Sequence, residues 1–219
     1  MKRYISEFFG TFCLVFCGAG SIITNDLSQG SISHIGISLT FGLIVMAMIF
    51  ALGKISGAHI NPAVSIAFSV SGNFKKKDLI PYVLSQTLGA IFASGILFQL
   101  FPTHISQGGT LPSGSNFQAF IIEFILTFIL MFVIINVSSE SKETGTLAGI
   151  SIGGVVCLES LFAGPITGAS MNPARSLAPA IFSGNVDGLW VYLIAPVFGA
   201  IAAVYLCRVM TSLNPINRL

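Results

Sequence analysis

"ISGAHINPAV" occupies residues 55–64 and "ITGASMNPAR" residues 166–175, identical at six of ten positions. An Asn-Pro-Ala triplet therefore occurs twice, 111 residues apart, each time behind a run of small residues. Asn is a favoured N-cap and Pro is favoured at the first helical position, so each triplet predicts a helix start. The first helix has room only for Asn61 to Ser71, about 16 Å of helix against about 30 Å of bilayer hydrocarbon. The second, starting at Asn172, ends near the "SGN" at 183–185 and is equally short. Neither can span a membrane.

The rest of the chain is built to span one. Of its 219 residues, 53% are hydrophobic and 8% charged, with a mean hydropathy of +0.88. Soluble domains carry about a quarter charged residues. Apolar runs near 4–24, 34–53, 79–100, 117–137, 146–164 and 189–209 each reach or approach the length of a transmembrane helix. They use up most of the chain, so one membrane domain over 1–219 is expected. The first run is interrupted by Glu7, Gly10 and Thr11 and reads as a permanent helix rather than a signal peptide. Cys13, Cys17, Cys157 and Cys207 all lie in apolar runs and read as small buried hydrophobes, not as disulfides or metal ligands.

With the N-terminus inside, the cytoplasmic segments receive Lys2, Arg3, Lys54, Lys75, Lys76, Lys77, Lys142, Arg208 and Arg218. The outer loops at 25–33 and 101–117 receive no Lys or Arg. This bias predicts that both termini are cytoplasmic. The exception is Arg175, directly after the second Asn-Pro-Ala.

The repetition extends beyond the triplets. "EFFGTFCLVF" at 7–16 matches "EFILTFILMF" at 123–132, and "YVLSQTLGAIFA" at 82–93 matches "YLIAPVFGAIAA" at 192–203. The two units cover about 4–100 and 117–210. Each holds three spans, an odd number, so the second enters from the opposite face. This is an inverted-topology repeat, in which sites lie at the repeat interface near the midplane. Two half-helices then meet there, one from each side. Each start carries about half a positive charge and unsatisfied backbone donors, to which the Asn61 and Asn172 amides add. Such a place holds the oxygen of a neutral molecule and repels cations. The predicted fold is an all-α membrane protein of six transmembrane helices plus two re-entrant half-helices.

From Glu7 to Tyr205 the sequence resembles the aquaporins, the major intrinsic protein family. The resemblance implies a right-handed six-helix bundle, one pore per subunit, a homotetramer in a cell membrane, and passage of water and small uncharged solutes. Proton exclusion by an arginine and by half-helix dipoles is borrowed from the family in the same way. Carried over by position, Asn61, Pro62, Ala63 and Asn172, Pro173, Ala174 are the central pore motifs. Phe41, Ser160, Ala169 and Arg175 are the selectivity filter. Water-selective members usually place His where this chain has Ser160. Glycerol facilitators usually have a second large aromatic and follow the second motif with Asp. Here "NPARS", with Ser176, and short loops are water-channel traits, whereas "AGPITGASMNPARSLAP" looks like the nodulin-26-like branch, which passes glycerol, urea and metalloid acids. A facilitator of such solutes, with water secondary, is therefore the alternative.

Glu7 and Glu123 lie inside spans, where ionisable groups default to functional suspicion. The resemblance favours a structural role, each carboxylate accepting N–H groups of a re-entrant loop, over a proton relay. Glu159 has no counterpart in the first repeat; it either supports the outer loop or sits near Arg175. His59 is a candidate pore-lining residue, and His34 and His104 are read as solvated. Lys75–Lys77 is a topology determinant that can meet anionic headgroups. A coupled transporter is disfavoured because no cation site or charged pair is evident, and an enzyme because no nucleophile–base pair is apparent. No cofactor, metal site or nucleic-acid partner is expected.

Overall fold

A computed structural model describes residues 1–138 and 142–212; Arg218, one of the charges used above, lies outside them. Eight helices are present among the described residues: α1 (Lys2–Leu27), α2 (Ser33–Ser56), α3 (Pro62–Ser71), α4 (Lys76–Leu100), α5 (Asn116–Val137), α6 (Lys142–Thr167), α7 (Pro173–Ser183) and α8 (Leu189–Ser212). Six are long and apolar enough to cross a membrane; α3 and α7 are not among them. Some crossing helices outrun the apolar stretches: α1 reaches Leu27 and α6 reaches Thr167, each three residues further.

The halves are built alike. In the first, α1 packs on α2 and α4; in the second, α5 packs on α6 and α8, and α2 against α6 joins them. Each half-helix also docks on the other half's last helix, α3 on α8 and α7 on α4. In lipid no hydrophobic force pulls helices together, so close approach of backbones decides. A Cβ on Gly89 would fall 2.1 Å from the Phe8 carbonyl oxygen, and one on Gly199 2.2 Å from that of Phe124. Those four residues correspond pairwise in the repeat. Gly42 and Gly153 do the same at the α2–α6 crossing, each 2.6 Å from the other's carbonyl oxygen.

At one end of the bundle the Tyr4 hydroxyl donates to Asp78, beside Lys75–Lys77, and Arg208 donates to the Val70 carbonyl. At the other end the 101–115 loop folds over the α1 terminus, where His104 Nε2 lies 3.1 Å from Asp26. Leu39, Leu43, Leu84, Leu88, Ile125 and Phe198 are among many large apolar side chains facing outward, as a lipid-facing surface requires.

Candidate functional site

Asn61 and Asn172 are the N-caps of α3 and α7. The Asn61 side-chain oxygen accepts the Ala63 N–H at 2.9 Å, and that of Asn172 accepts those of Ala174 and Arg175. Pro62 and Pro173 occupy the first helical position, where a missing N–H costs nothing. Ala63 and Ala174 are buried. The amide nitrogens reach across the repeat: Asn61 Nδ2 donates to the Met171 carbonyl at 2.7 Å, and Asn172 Nδ2 to the Ile60 carbonyl at 2.9 Å. Half of each amide's donor capacity is thus spent inside the protein, which the sequence reading did not foresee. The second N–H of each remains.

The segments leading into the caps are left-handed at three places each. Gly57, Ala58 and Ile60 have positive φ, as do Gly168, Ala169 and Met171. For a β-branched residue such as Ile60 this is a real outlier, and a conformation of this kind costs on the order of 1–3 kcal/mol. Two carboxylates hold it. Glu7, fully buried, accepts the N–H groups of His59 (3.0 Å) and Ile60 (2.7 Å). Glu123, also fully buried, accepts those of Ser170 (2.9 Å) and Met171 (2.8 Å) and the Thr167 hydroxyl. Tyr82 and Tyr192 donate to the Ser56 and Thr167 carbonyls at the start of each approach. The halves differ at several places, among them Gln86, which donates to both Glu7 and Ser65, whereas Pro196 stands at the matching position of α8.

Between the two approaches lies a cavity of about 330 Å³. It is lined by aliphatic side chains, among them Leu14, Val45, Ile49, Leu130, Ile152 and Val156, and by the approach segments with Asn61 and Asn172. Phe41, Ser160, Ala169 and Arg175 line it together, and so does His59. Arg175 is 1% exposed. Its Nη1 donates to the Gly108 carbonyl at 3.0 Å, its Nε and Nη2 have no protein partner, and its carbon Cζ lies 5.0 Å from the Phe41 ring centroid.

The major intrinsic protein family model matches residues 1–207. The chain belongs to the major intrinsic protein family. It is 46% identical to "Aquaporin NIP1-1" of Zea mays over 94% of this chain and 73% of that one. It is 44% identical to "Nodulin-26" of Glycine max over 96% and 78%. Among solved structures, that of the aquaglyceroporin from Plasmodium falciparum superposes with a TM-score of 0.79 at 30% identity, covering 96% of this chain and 98% of that one.

Several residues outside the family motifs now have a place. Ser176 is buried and takes the Thr110 hydroxyl at 2.7 Å, tying the outer loop to α7. His104 is not simply solvated: its side chain is 8% exposed and pairs with Asp26, while its Nδ1 accepts the Gln107 N–H. His34 likewise bonds the Leu161 carbonyl through Nε2 at 2.9 Å. His59 stacks on Phe68, at 4.8 Å between ring centroids, and its Nδ1 meets Ser65. Of the cysteines only Cys207 is buried, and the other three are half-buried.

Glu159 is held by neither the outer loop nor Arg175 through a hydrogen bond. It is 1% exposed, and neither of its oxygens has a protein partner. Burying an unpaired polar group costs about 1–3 kcal/mol by protein mutational data. Glu159→Met is therefore expected to stabilise the protein by about that amount. Thermal unfolding in detergent checks it; a variant less stable than wild type would refute the expectation.

Proposed function

We infer that the protein is a passive transmembrane channel for water and small uncharged solutes, an integral membrane protein and not an enzyme. The observation that carries this is one cavity lined both by the capped starts of two half-helices and by aliphatic side chains. Asn61 and Asn172 are its central amides, with Pro62, Ala63, Pro173 and Ala174 shaping the helix starts. Phe41, Ser160, Ala169 and Arg175 form its constriction, and His59 lines its inner half. A passing oxygen loses water partners and gains the free N–H of each Asn, while its neighbours in the file slide along aliphatic side chains. The half-helix starts and Arg175 set a positive potential that opposes protons and cations.

At the constriction a Ser hydroxymethyl and an Ala methyl leave more width than a His ring would. The charged fork lies against the apolar ring, 5.0 Å from its centroid, so the two are adjoining walls of that gap. A glycerol- or urea-sized solute can bond to Arg175 while its carbon face passes Phe41. The aquaglyceroporin and Nodulin-26 likenesses favour the same reading. Stopped-flow light scattering of proteoliposomes under water, glycerol and urea gradients tests it. Ser160→His is expected to lower solute flux about tenfold while changing water flux less, the effect of a barrier raised by about 1.4 kcal/mol. Wild-type vesicles permeable to water but not to either solute would leave a plain water channel.

The single domain over 1–219 is taken to be two inverted repeats, 4–100 and 117–210, assembled as a homotetramer in a cell membrane. Both termini face the cytoplasm, in keeping with the Lys and Arg at the Tyr4–Asp78 end of the bundle. Accessibility of single cysteines at the termini and the mass of the detergent-free complex check these.

A further inference from the structure

Phe41 lies between the cavity and α1, and the residue it meets on α1 is Gly18. A Cβ on Gly18 would fall 2.1 Å from Phe41 Cε1, 2.5 Å from Cζ and 2.7 Å from Cδ1. Real carbons do not approach so closely, so the ring occupies the volume that any other residue at 18 would fill. Both residues are buried, and Gly18 sits on a straight stretch of α1 with no positive φ to demand glycine. No turn or left-handed backbone explains it; the ring does. On its other side the ring lines the cavity, and the Arg175 guanidinium lies 5.0 Å from its centroid.

We infer that Gly18 is a positioning residue for selectivity: by yielding its side-chain volume to Phe41 it draws the ring out of the lumen and sets the width beside Arg175. This rests on Phe41 and Arg175 forming the constriction. The atoms that an added methyl would strike belong to the far edge of a side chain, not to backbone. The ring therefore shifts while α1 and α2 stay in place, and the open side toward which it moves is the cavity. The cross-section closes on the face a solute's carbons must pass. A single file of water needs less width than a glycerol, so the two fluxes separate.

The test reconstitutes Gly18→Ala, Phe41→Leu and the double variant into liposomes and measures water and glycerol flux. In Gly18→Ala, glycerol flux is expected to fall about tenfold and water flux less than about threefold, so that their ratio changes. In Gly18→Ala/Phe41→Leu, glycerol flux returns to that of Phe41→Leu alone, because the methyl no longer meets a ring. A purely structural role would lower both fluxes together and leave their ratio fixed. An unchanged ratio in Gly18→Ala, or a double variant as impaired as the single, overturns the inference. If Gly18→Ala gives no folded protein, its recovery in the double variant supports the ring contact, and failure of both overturns it. Phe41→Leu alone separates the premise from the inference. A glycerol flux no higher than wild type means Phe41 is not at the constriction; a raised flux with Gly18→Ala silent means only that Gly18 does not position it.

Discussion

Replacing Glu123 by Leu is expected to abolish recovery of folded protein. Its two oxygens take three donors, the Ser170 and Met171 N–H groups and the Thr167 hydroxyl, at 2.8–2.9 Å in a fully buried place. The hydroxyl can rotate to another acceptor, but the backbone donors cannot. Two orphaned buried N–H groups cost about 2–6 kcal/mol together, at about 1–3 each, against a total stability of about 5–15. Met171 would also lose the restraint on its left-handed backbone. Glu123→Gln should be intermediate. It keeps one acceptor oxygen but turns an NH2 toward a backbone N–H, setting donor against donor. Yield and monodispersity on size exclusion decide the matter; a stable, monodisperse Leu variant would mean that the approach segment holds itself.

Arg175→Val has the largest expected effect on transport. A unit charge about 4 Å away acts with about 4 kcal/mol at an effective dielectric near 20. With the helix starts still in place, proton leak is expected to rise by on the order of a hundredfold, or about 2.7 kcal/mol of barrier. The fold should survive, since a buried charge and one bond to the Gly108 carbonyl leave together. Decay of an imposed pH gradient in proteoliposomes measures it. A variant as proton-tight as wild type would shift the whole burden of exclusion to the half-helices.

The architecture was legible because its signals are local. An Asn before a Pro names a helix start from two adjacent residues, and the distance to Ser71 names its length. Glu7 and Glu123 stood out because a carboxylate in an apolar run is costly. What stayed hidden joins distant parts of the chain. Nothing near Gly18 hints at Phe41, and a glycine in an apolar helix reads like any small packing residue. The Gly108 carbonyl that holds Arg175 lies in a loop whose only visible mark was its lack of Lys and Arg. His104 was read as solvated because a His in a polar loop usually is, and its Asp26 partner is 78 residues away. Glu159 precedes the filter position Ser160, but adjacent helical residues point about 100° apart, and its carboxylate makes no hydrogen bond to the outer loop or to Arg175.

The two hydrogen bonds that side-chain amides donate between the repeats, Asn61 to Met171 and Asn172 to Ile60, also bear on the order of synthesis. The first half of the chain is made, and α1, α2 and α4 can cross the bilayer, before Met171 exists. Until then the Asn61 amide and the Ile60 carbonyl have no permanent partner, and α3 has no α8 to lie against. The N-terminal half therefore cannot complete its own interior. Its re-entrant segment, held by Glu7 and Tyr82 of the same half, gains its cross-repeat bonds only after the translation of some 110 further residues. The bonds at the centre of the molecule therefore wait for the second half of the chain.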